Sequence, residues 1–500
     1  MAVRILLAAS EVAGFAKTGG LADVAAALPR ALAKRGNLTA IVMPLYNSCR
    51  RAGLPIERTS IVLPVPMGDR ILACRVYRSH LPNSDVPVFL IEHTPYFERD
   101  NPAQGRGLYQ VQTAGGDKAD YWDNGERFVF FCRAVLEIVP HIGFPVDVIH
   151  ANDWQTGLVP VYLSELYRPH PGYQRMRSVF TIHNIAYQGS FPRDLINYTG
   201  LSPSLYNPGQ LEHYGFNFLK SGVVFADAVT TVSPTYAREI QSAEFGCGLE
   251  GLLASYHWKL SGIVNGCDYT DWNPATDRHI IAPYNAETVF DNKPLCKADL
   301  QRRFRLPEDS KAPILGMVAR LVSQKGIDLV LSAAPGFLDL GAQIVVLGDG
   351  DRWFQDQLQS LHDRYPDRVG VYFGFHEPLA HVVEAGSDFF LMPSRYEPCG
   401  LNQMYSLKYG TPPIVRQTGG LADTVVNATL ENLADSRATG FTFGDYTAYA
   451  LYETVKWALT LYRDRPTNFR QIVRTAMSQD WSWGRSAETY EKLYLKVIGR

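Results

Sequence analysis

This chain has no surplus of charge of either sign: 48 lysines and arginines stand against 50 aspartates and glutamates in 500 residues, a formal charge of -2. No global field therefore draws it to nucleic acid or to an anionic lipid surface, and any phosphate it handles must meet a local basic cluster. Closely paired cysteines are also missing. The seven present (Cys49, Cys74, Cys132, Cys247, Cys267, Cys296 and Cys399) are odd in number and contain no C-x-x-C spacing. That argues against a disulfide framework or a cysteine-zinc site and suits a reducing compartment. No segment approaches the roughly 18 consecutive apolar residues of a membrane span, and the first apolar run is too short for a signal peptide. The expectation is a soluble cytoplasmic protein, or one of a plastid-stroma-like compartment, with no targeting peptide and no membrane partner. With 46% hydrophobic and 20% charged residues, a chain of this length suits roughly two to four domains with full cores.

What is present is a glycine turn, twice. Lys17 to Val24 reads KTGGLADV, after an apolar run from Val3 to Ala9 and before a helical pattern ending near Arg35. A strand there hands over to a helix, and Gly19 and Gly20 allow positive φ and close approach of a ligand to free N–H groups at the positive end of the helix dipole. This is a seat for a phosphate, with Lys17 adding a mobile charge and Asp23 a carboxylate one turn in. Thr418 to Asp423 repeats TGGLAD, with Gln417 in place of the lysine. Either copy alone reads better as a tight turn without a ligand; the repeat and the lysine shift the reading to two lobes facing one ligand.

The first half alternates short strands and helices. Leu38 to Met43, the hairpin Ile61 to Pro66 with Ile71 to Arg78, and Val86 to Ile91 read as strands, and Asn124 to Val139 as a helix. Asn101 to Asp123, aromatic and aperiodic, reads as a long loop or lid. Val146 to His150 runs into Ala151-Asn152-Asp153-Trp154, and Val179 to Ile182 into His183 to Gly189. In open α/β sheets ligands bind beyond the carboxyl ends of strands, so both clusters are site candidates. His183 serves equally as a buried histidine satisfying backbone groups, and Asp153 as a helix cap. Ala228 to Val232 is a further strand, with Ser233-Pro234 as a helix start. Pro-, Asp- and Asn-rich sequence then places a domain boundary within Leu260 to Asn292.

The second half predicts a doubly wound parallel sheet, with strands at Ile314 to Val318, Ile344 to Leu347, Val369 to Phe373, Phe389 to Met392 and Pro413 to Val415. Arg320 and Lys325 follow the first of these, where a guanidinium fork and a point charge suit a diphosphate, although such a pair is often solvated surface. Ser394 to Leu401 follows the fourth. There Cys399, Gly400 and Leu401 open a helix with free N–H groups, and Glu397 can accept from sugar hydroxyls, unless it is an ordinary loop carboxylate. The amphipathic segment Trp483 to Ile498 ends the pattern; composition does not decide which domain receives it.

Taken together, KTGGLADV, HNIAYQG at His183 to Gly189, IVNGCDYTDWNP at Ile263 to Pro274, the Arg320 and Lys325 pair, and SRYEPCGLNQ followed by TGGLADTV resemble the bacterial and plant glycogen and starch synthases, from Ile5 to about Tyr494. The resemblance implies an α/β GT-B fold of two Rossmann-like domains across a deep cleft, residues 1–262 and 263–482, with the helix 483–500 crossing back to the first. It also implies transfer of glucose from ADP-glucose to the non-reducing end of an α-1,4-glucan, with retention, no cofactor and no metal ion. By position, Lys17, Gly19 and Gly20 look like donor contacts, Arg320 and Lys325 like the diphosphate clamp, and His183 like the residue beside the transferred sugar. Glu397 and the amides of Cys399, Gly400 and Leu401 look like holders of that sugar's hydroxyls. Phe375 stands in the adenine-stacking position, Thr418 opens the second glycine turn toward the donor, and Glu11, Asp23 and Asp153 match cleft carboxylates. Gly14, where many members have proline, and Gln155, where histidine is common, depart from the pattern without touching a diphosphate or sugar contact. The alternatives are a related transferase using UDP-glucose or a small acceptor, a pyridoxal-phosphate phosphorylase, and a non-catalytic glucan-binding or priming homologue.

Overall fold

In the computed structural model, which describes residues 2–113 and 118–500, the chain divides into two units. Met1–Val232, Ala237–Gly266 and Trp483–Arg500 form the first, and Ser233–Tyr236 with Cys267–Ser482 the second. The first unit is built on β1 (Arg4–Ala8), β2 (Leu38–Pro44), β3 (Glu57–Met67), β4 (Arg70–His80), β5 (Pro87–Glu92), β6 (Val148–Asn152), β7 (Arg177–Ile182), β8 (Ala228–Thr231) and β9 (Leu260–Gly262). They form one nine-stranded sheet in the order β9-β8-β7-β6-β1-β2-β5-β4-β3. The pairings from β9 to β5 are parallel, and the β3–β4 hairpin joins β5 antiparallel. Chemistry separates the two regions: β1 and β2 are almost wholly buried apolar runs covered on both faces, whereas β3 and β4 alternate buried and exposed residues. Strand order reverses between β1 and β6, which makes their carboxyl ends the switch point where ligands bind in such sheets.

Asn101 to Asp123 is less irregular than its composition suggests. A short antiparallel pair joins Gln110–Gln112 to Lys118–Asp120, and a 3-10 turn covers Pro102–Gln104. The part of the expected loop at 114–117 lies outside the described residues. Pairs of three residues are too short to leave a periodic signal.

The helix Gly20–Lys34 buries Leu21, Val24, Ala25, Leu28 and Leu32, a 3.6-residue stripe turned to the core. Against it lies the last helix, Trp483–Val497, which belongs to the first unit. Trp483, Ala487, Tyr490 and Tyr494 are buried on its inner face. Glu491 is its polar anchor, 2.7 Å from the Arg35 guanidinium and accepting from Asn37 Nδ2 at 2.8 Å.

The second unit holds β10 (Ile314–Leu321), β11 (Gln343–Gly350), β12 (Val369–Phe373), β13 (Phe389–Met392), β14 (Pro413–Arg416) and β15 (Phe441–Phe443). All are parallel, in the order β12-β11-β10-β13-β14-β15. The reversal here falls between β10 and β13. β15 was not foreseen: three residues between Gly440 and Gly444 carry no periodicity, and pairing with β14 makes them a strand. β10 runs through Leu321, so Arg320 lies on the strand, level with Asp349 of β11, and not on the loop that follows. β6 likewise extends through Asn152, past the end expected from sequence.

Candidate functional site

Beyond the end of β1, the chain forms a loop that returns to the start of the helix Gly20–Lys34. Glu11 organises it. Its buried carboxylate accepts from the backbone N–H and hydroxyl of Thr18, the latter at 2.8 Å, and from the Gly19 N–H at 3.3 Å; Tyr109 donates to it at 3.2 Å. Burial pushes the Glu11 pKa up, opposed by these donors. Glu11 is thus turned into the loop as its internal brace. Lys17 and Asp23 pair at 2.7 Å at the exposed rim.

The expected positive φ at the first glycine pair is not found. Gly19 is extended at φ -157, and neither Gly19 nor Gly20 is among the left-handed residues. A Cβ on either would meet nothing within 4 Å among the described residues, so packing does not explain the glycines. In the second copy, Gly419 has φ +44, and a Cβ on Gly419 or Gly420 would collide with the carbonyls of Glu397 and Cys399. One sequence motif therefore serves two purposes: the first copy leaves room, the second lets two loops touch.

At the ends of β6 and β7, Asp153 and His183 come together. Asp153, left-handed at φ 56, accepts from the His183 backbone N–H at 2.7 Å. Burial pushes its pKa up to about 7, with the charge of Glu11 adding to the rise and backbone donors from His183 and Asn184 opposing it. Burial holds the His183 ring down at about 3, so it is neutral at physiological pH. Its Nε2 lies 3.0 Å from Asn152 Oδ1.

In the second unit, the switch point brings Lys325 and Glu397 together. Lys325 ends a 3-10 turn after β10, Glu397 lies in the loop after β13, and Nζ and Oε2 are 2.5 Å apart. Ser394 donates to the same oxygen at 3.1 Å, and Oε1 has no partner among the described residues. The two loops are joined by Arg395 N–H to Gln324 O, 2.8 Å, and the glycine turn after β14 is tied to the second of them by Gly420 N–H to Glu397 O, 3.1 Å. Arg320 is exposed and has no side-chain partner among the described residues. The helix after this loop starts at Asn402 with Leu401 as its N-cap, and Gly400 is left-handed, so Cys399 and Gly400 precede the helix and do not open it. Thr418 is buried as the N-cap of Gly419–Thr424. Phe375, past the end of β12, is 89% exposed, an aromatic face open to solvent.

Each unit thus places a lysine, backbone amides and a carboxylate beyond the carboxyl ends of its central strands, groups of the type that receive anions and hydroxyls. Among the described residues no cluster of His, Cys, Asp and Glu could hold a metal ion, and no helix is long and apolar enough to cross a membrane. The sequence places Asn152 in a candidate cluster without naming its partner, and gives Thr18 and Tyr109 no role. Thr18 stands inside the glycine motif, which is signal enough to find it; Tyr109 is about a hundred residues from Glu11 and leaves none.

Family models extend this picture. One described as the starch synthase catalytic domain matches residues 4–255, and one described as glycosyl transferases group 1 matches residues 299–475. The glycogen synthase of Rhodopirellula baltica is 44% identical, covering 99% of this chain and 98% of its own length. That of Syntrophotalea carbinolica is 45% identical over 99% of each. The solved catalytic domain of starch synthase IV from Arabidopsis thaliana, bound to ADP and acarbose, is 32% identical, with a TM-score of 0.88 over 100% of both chains. Sucrose-phosphate synthase from Thermosynechococcus elongatus, 18% identical with a TM-score of 0.55 over 99% of each, shares the fold.

Proposed function

The chain belongs to the family of glycogen and starch synthases, with the GT-B fold of two Rossmann-like domains, and from that premise we propose that it transfers glucose from ADP-glucose to the non-reducing end of an α-1,4-glucan, with retention and without a metal ion. The observation that carries this reading is the Lys325–Glu397 pair at the β10–β13 switch point, 2.5 Å apart, with the Arg320 side chain on β10 unpartnered among the described residues. Breaking the glycosyl phosphate bond builds negative charge on the departing diphosphate. Arg320 and Lys325 stabilise that charge more in the transition state than in the ground state, the task a divalent ion performs elsewhere. Lys17 and the amides of Gly19 and Gly20 are donor contacts, and Asp23 orients Lys17. Glu397 Oε1, with the amides of Cys399, Gly400 and Leu401, receives the sugar's hydroxyls, Phe375 stacks on adenine, and Thr418 sets the turn beneath. His183 lies beside the transferred sugar, and Glu11 and Asp153 act by holding the loops that carry these groups.

The sugar gains oxocarbenium character as the bond to phosphate lengthens. The acceptor hydroxyl attacks C1 from the face the diphosphate leaves; the new C–O bond forms as the old one breaks, and the hydroxyl proton passes to the departing phosphate oxygen. The test is to mix purified protein with glycogen, a chelator, and either ADP-glucose or UDP-glucose. ADP release with lengthening α-1,4 chains is expected, with little turnover of UDP-glucose. No ADP release with any glucan acceptor would overturn the proposal.

A further inference from the structure

Asn152 ends β6 and is fully buried. Its Nδ2 donates to Ala8 O at 3.1 Å, on β1, and to His150 O at 3.2 Å, so both amide hydrogens are engaged on carbonyls. Its Oδ1 meets His183 Nε2 at 3.0 Å. An amide oxygen only accepts, so the ring nitrogen opposite it must carry the proton. A neutral imidazole has one ring proton. The other nitrogen, Nδ1, is then an unprotonated acceptor, and it has no partner among the described residues.

We propose that Asn152 is a positioning residue that locks His183 as the neutral Nε2–H tautomer and so presents a hydrogen-bond acceptor at Nδ1 to a hydroxyl of the transferred sugar. The lock rests on this chain's geometry alone; the sugar as its target rests on the proposed transferase reading. A ring held this way accepts from a hydroxyl and supplies no proton. It therefore orients the sugar and leaves the leaving group to the cations.

The ring's neighbours support a single protonation state. Asp153 meets the backbone N–H of His183 at 2.7 Å and not its ring. His150, on the same strand as Asn152, is itself held neutral by burial, its pKa down at about 3. Its two nitrogens are taken by Tyr494 OH at 2.8 Å and Thr181 Oγ1 at 2.6 Å, so it does not compete for Asn152 Oδ1. Burial alone lowers the His183 pKa, so a change of protonation does not replace the tautomer between pH 5 and 8.

The experiment is histidine-selective 15N NMR on the full-length protein, with His183→Ala identifying the His183 signals, beside kinetics with ADP-glucose and glycogen. The expected spectrum has a protonated Nε2 and an unprotonated Nδ1 from pH 5 to pH 8. Asn152→Ala, checked for folding by circular dichroism, should show a mixture of tautomers and a kcat lowered about tenfold, with the KM for ADP-glucose changed less than twofold. A wild-type ring protonated on Nδ1 overturns the proposal, and so does a folded Asn152→Ala whose tautomer and kcat match the wild type. If Asn152→Ala does not fold, the wild-type spectrum decides. An Nε2–H ring in a protein that transfers no glucose to any glucan supports the lock and overturns the sugar assignment, so the two failures are distinguishable.

Discussion

Lys325 and Glu397 are nearly buried and 2.5 Å apart, and neither can be removed without exposing the other's chemistry. Lys325→Ala should lower kcat/KM by about 10²- to 10³-fold, the scale of losing one preorganised charge-stabilising donor. A loss under threefold would remove the lysine from the diphosphate. Asp153 makes a second, independent prediction. Its folded pKa, near 7, lies above the usual carboxylate range, so the native state holds a proton that the unfolded state has released. By linkage, stability falls as pH rises from about 4 to about 7, and the loss is constant above that. Asp153→Asn escapes this loss. In urea titrations the advantage of the variant over wild type should grow across that window, and an advantage independent of pH would show that the carboxylate ionises normally. His150, depressed to about 3, has the opposite sign: it costs stability as pH falls below about 6.5.

Among elements, the repeated glycine turn is the most instructive. Gly20→Ala puts a methyl group into open space at a helix start, so the melting temperature should be unchanged or slightly raised while the KM for ADP-glucose rises several-fold. Gly420→Ala drives a methyl group into the Cys399 carbonyl and should cost about 1–3 kcal/mol or more, visible as a lowered melting temperature. Equal thermal effects from both substitutions would contradict the two roles. The terminal helix is similarly testable through Tyr494, whose hydroxyl meets the buried His150 Nδ1 at 2.8 Å. Tyr494→Phe strands that nitrogen in an apolar setting, at a cost of about 1–3 kcal/mol measured by chemical denaturation.

For the whole molecule, two sheets carry two cores. That of the second unit includes Leu315, Val330, Phe337, Ile344 and Phe389, and the first unit has its own in β1, β2, β6 and the helices covering them. Calorimetric unfolding should then depart from a single two-state transition, with a van't Hoff enthalpy below the calorimetric one. Coincidence of the two enthalpies would mean that the units melt as one.

Two α/β halves, most of their strands and the segments bearing the candidate residues were legible in order, because glycine turns and buried β-branched runs are local signals. β15 and the pair Gln110–Gln112 with Lys118–Asp120 were not, since three residues carry no period. Local chemistry also named Lys325, Glu397, Asp153 and His183 without saying what each would touch. Only tertiary structure decided that Glu11 turns inward to brace Thr18, that Asp23 neutralises Lys17, that the last helix lies on Gly20–Lys34, and that Asn152 points its oxygen at His183. These outcomes depend on groups up to several hundred residues apart meeting in a particular rotamer, and a residue's type and spacing set what it can donate or accept, whereas only folding chooses its partner.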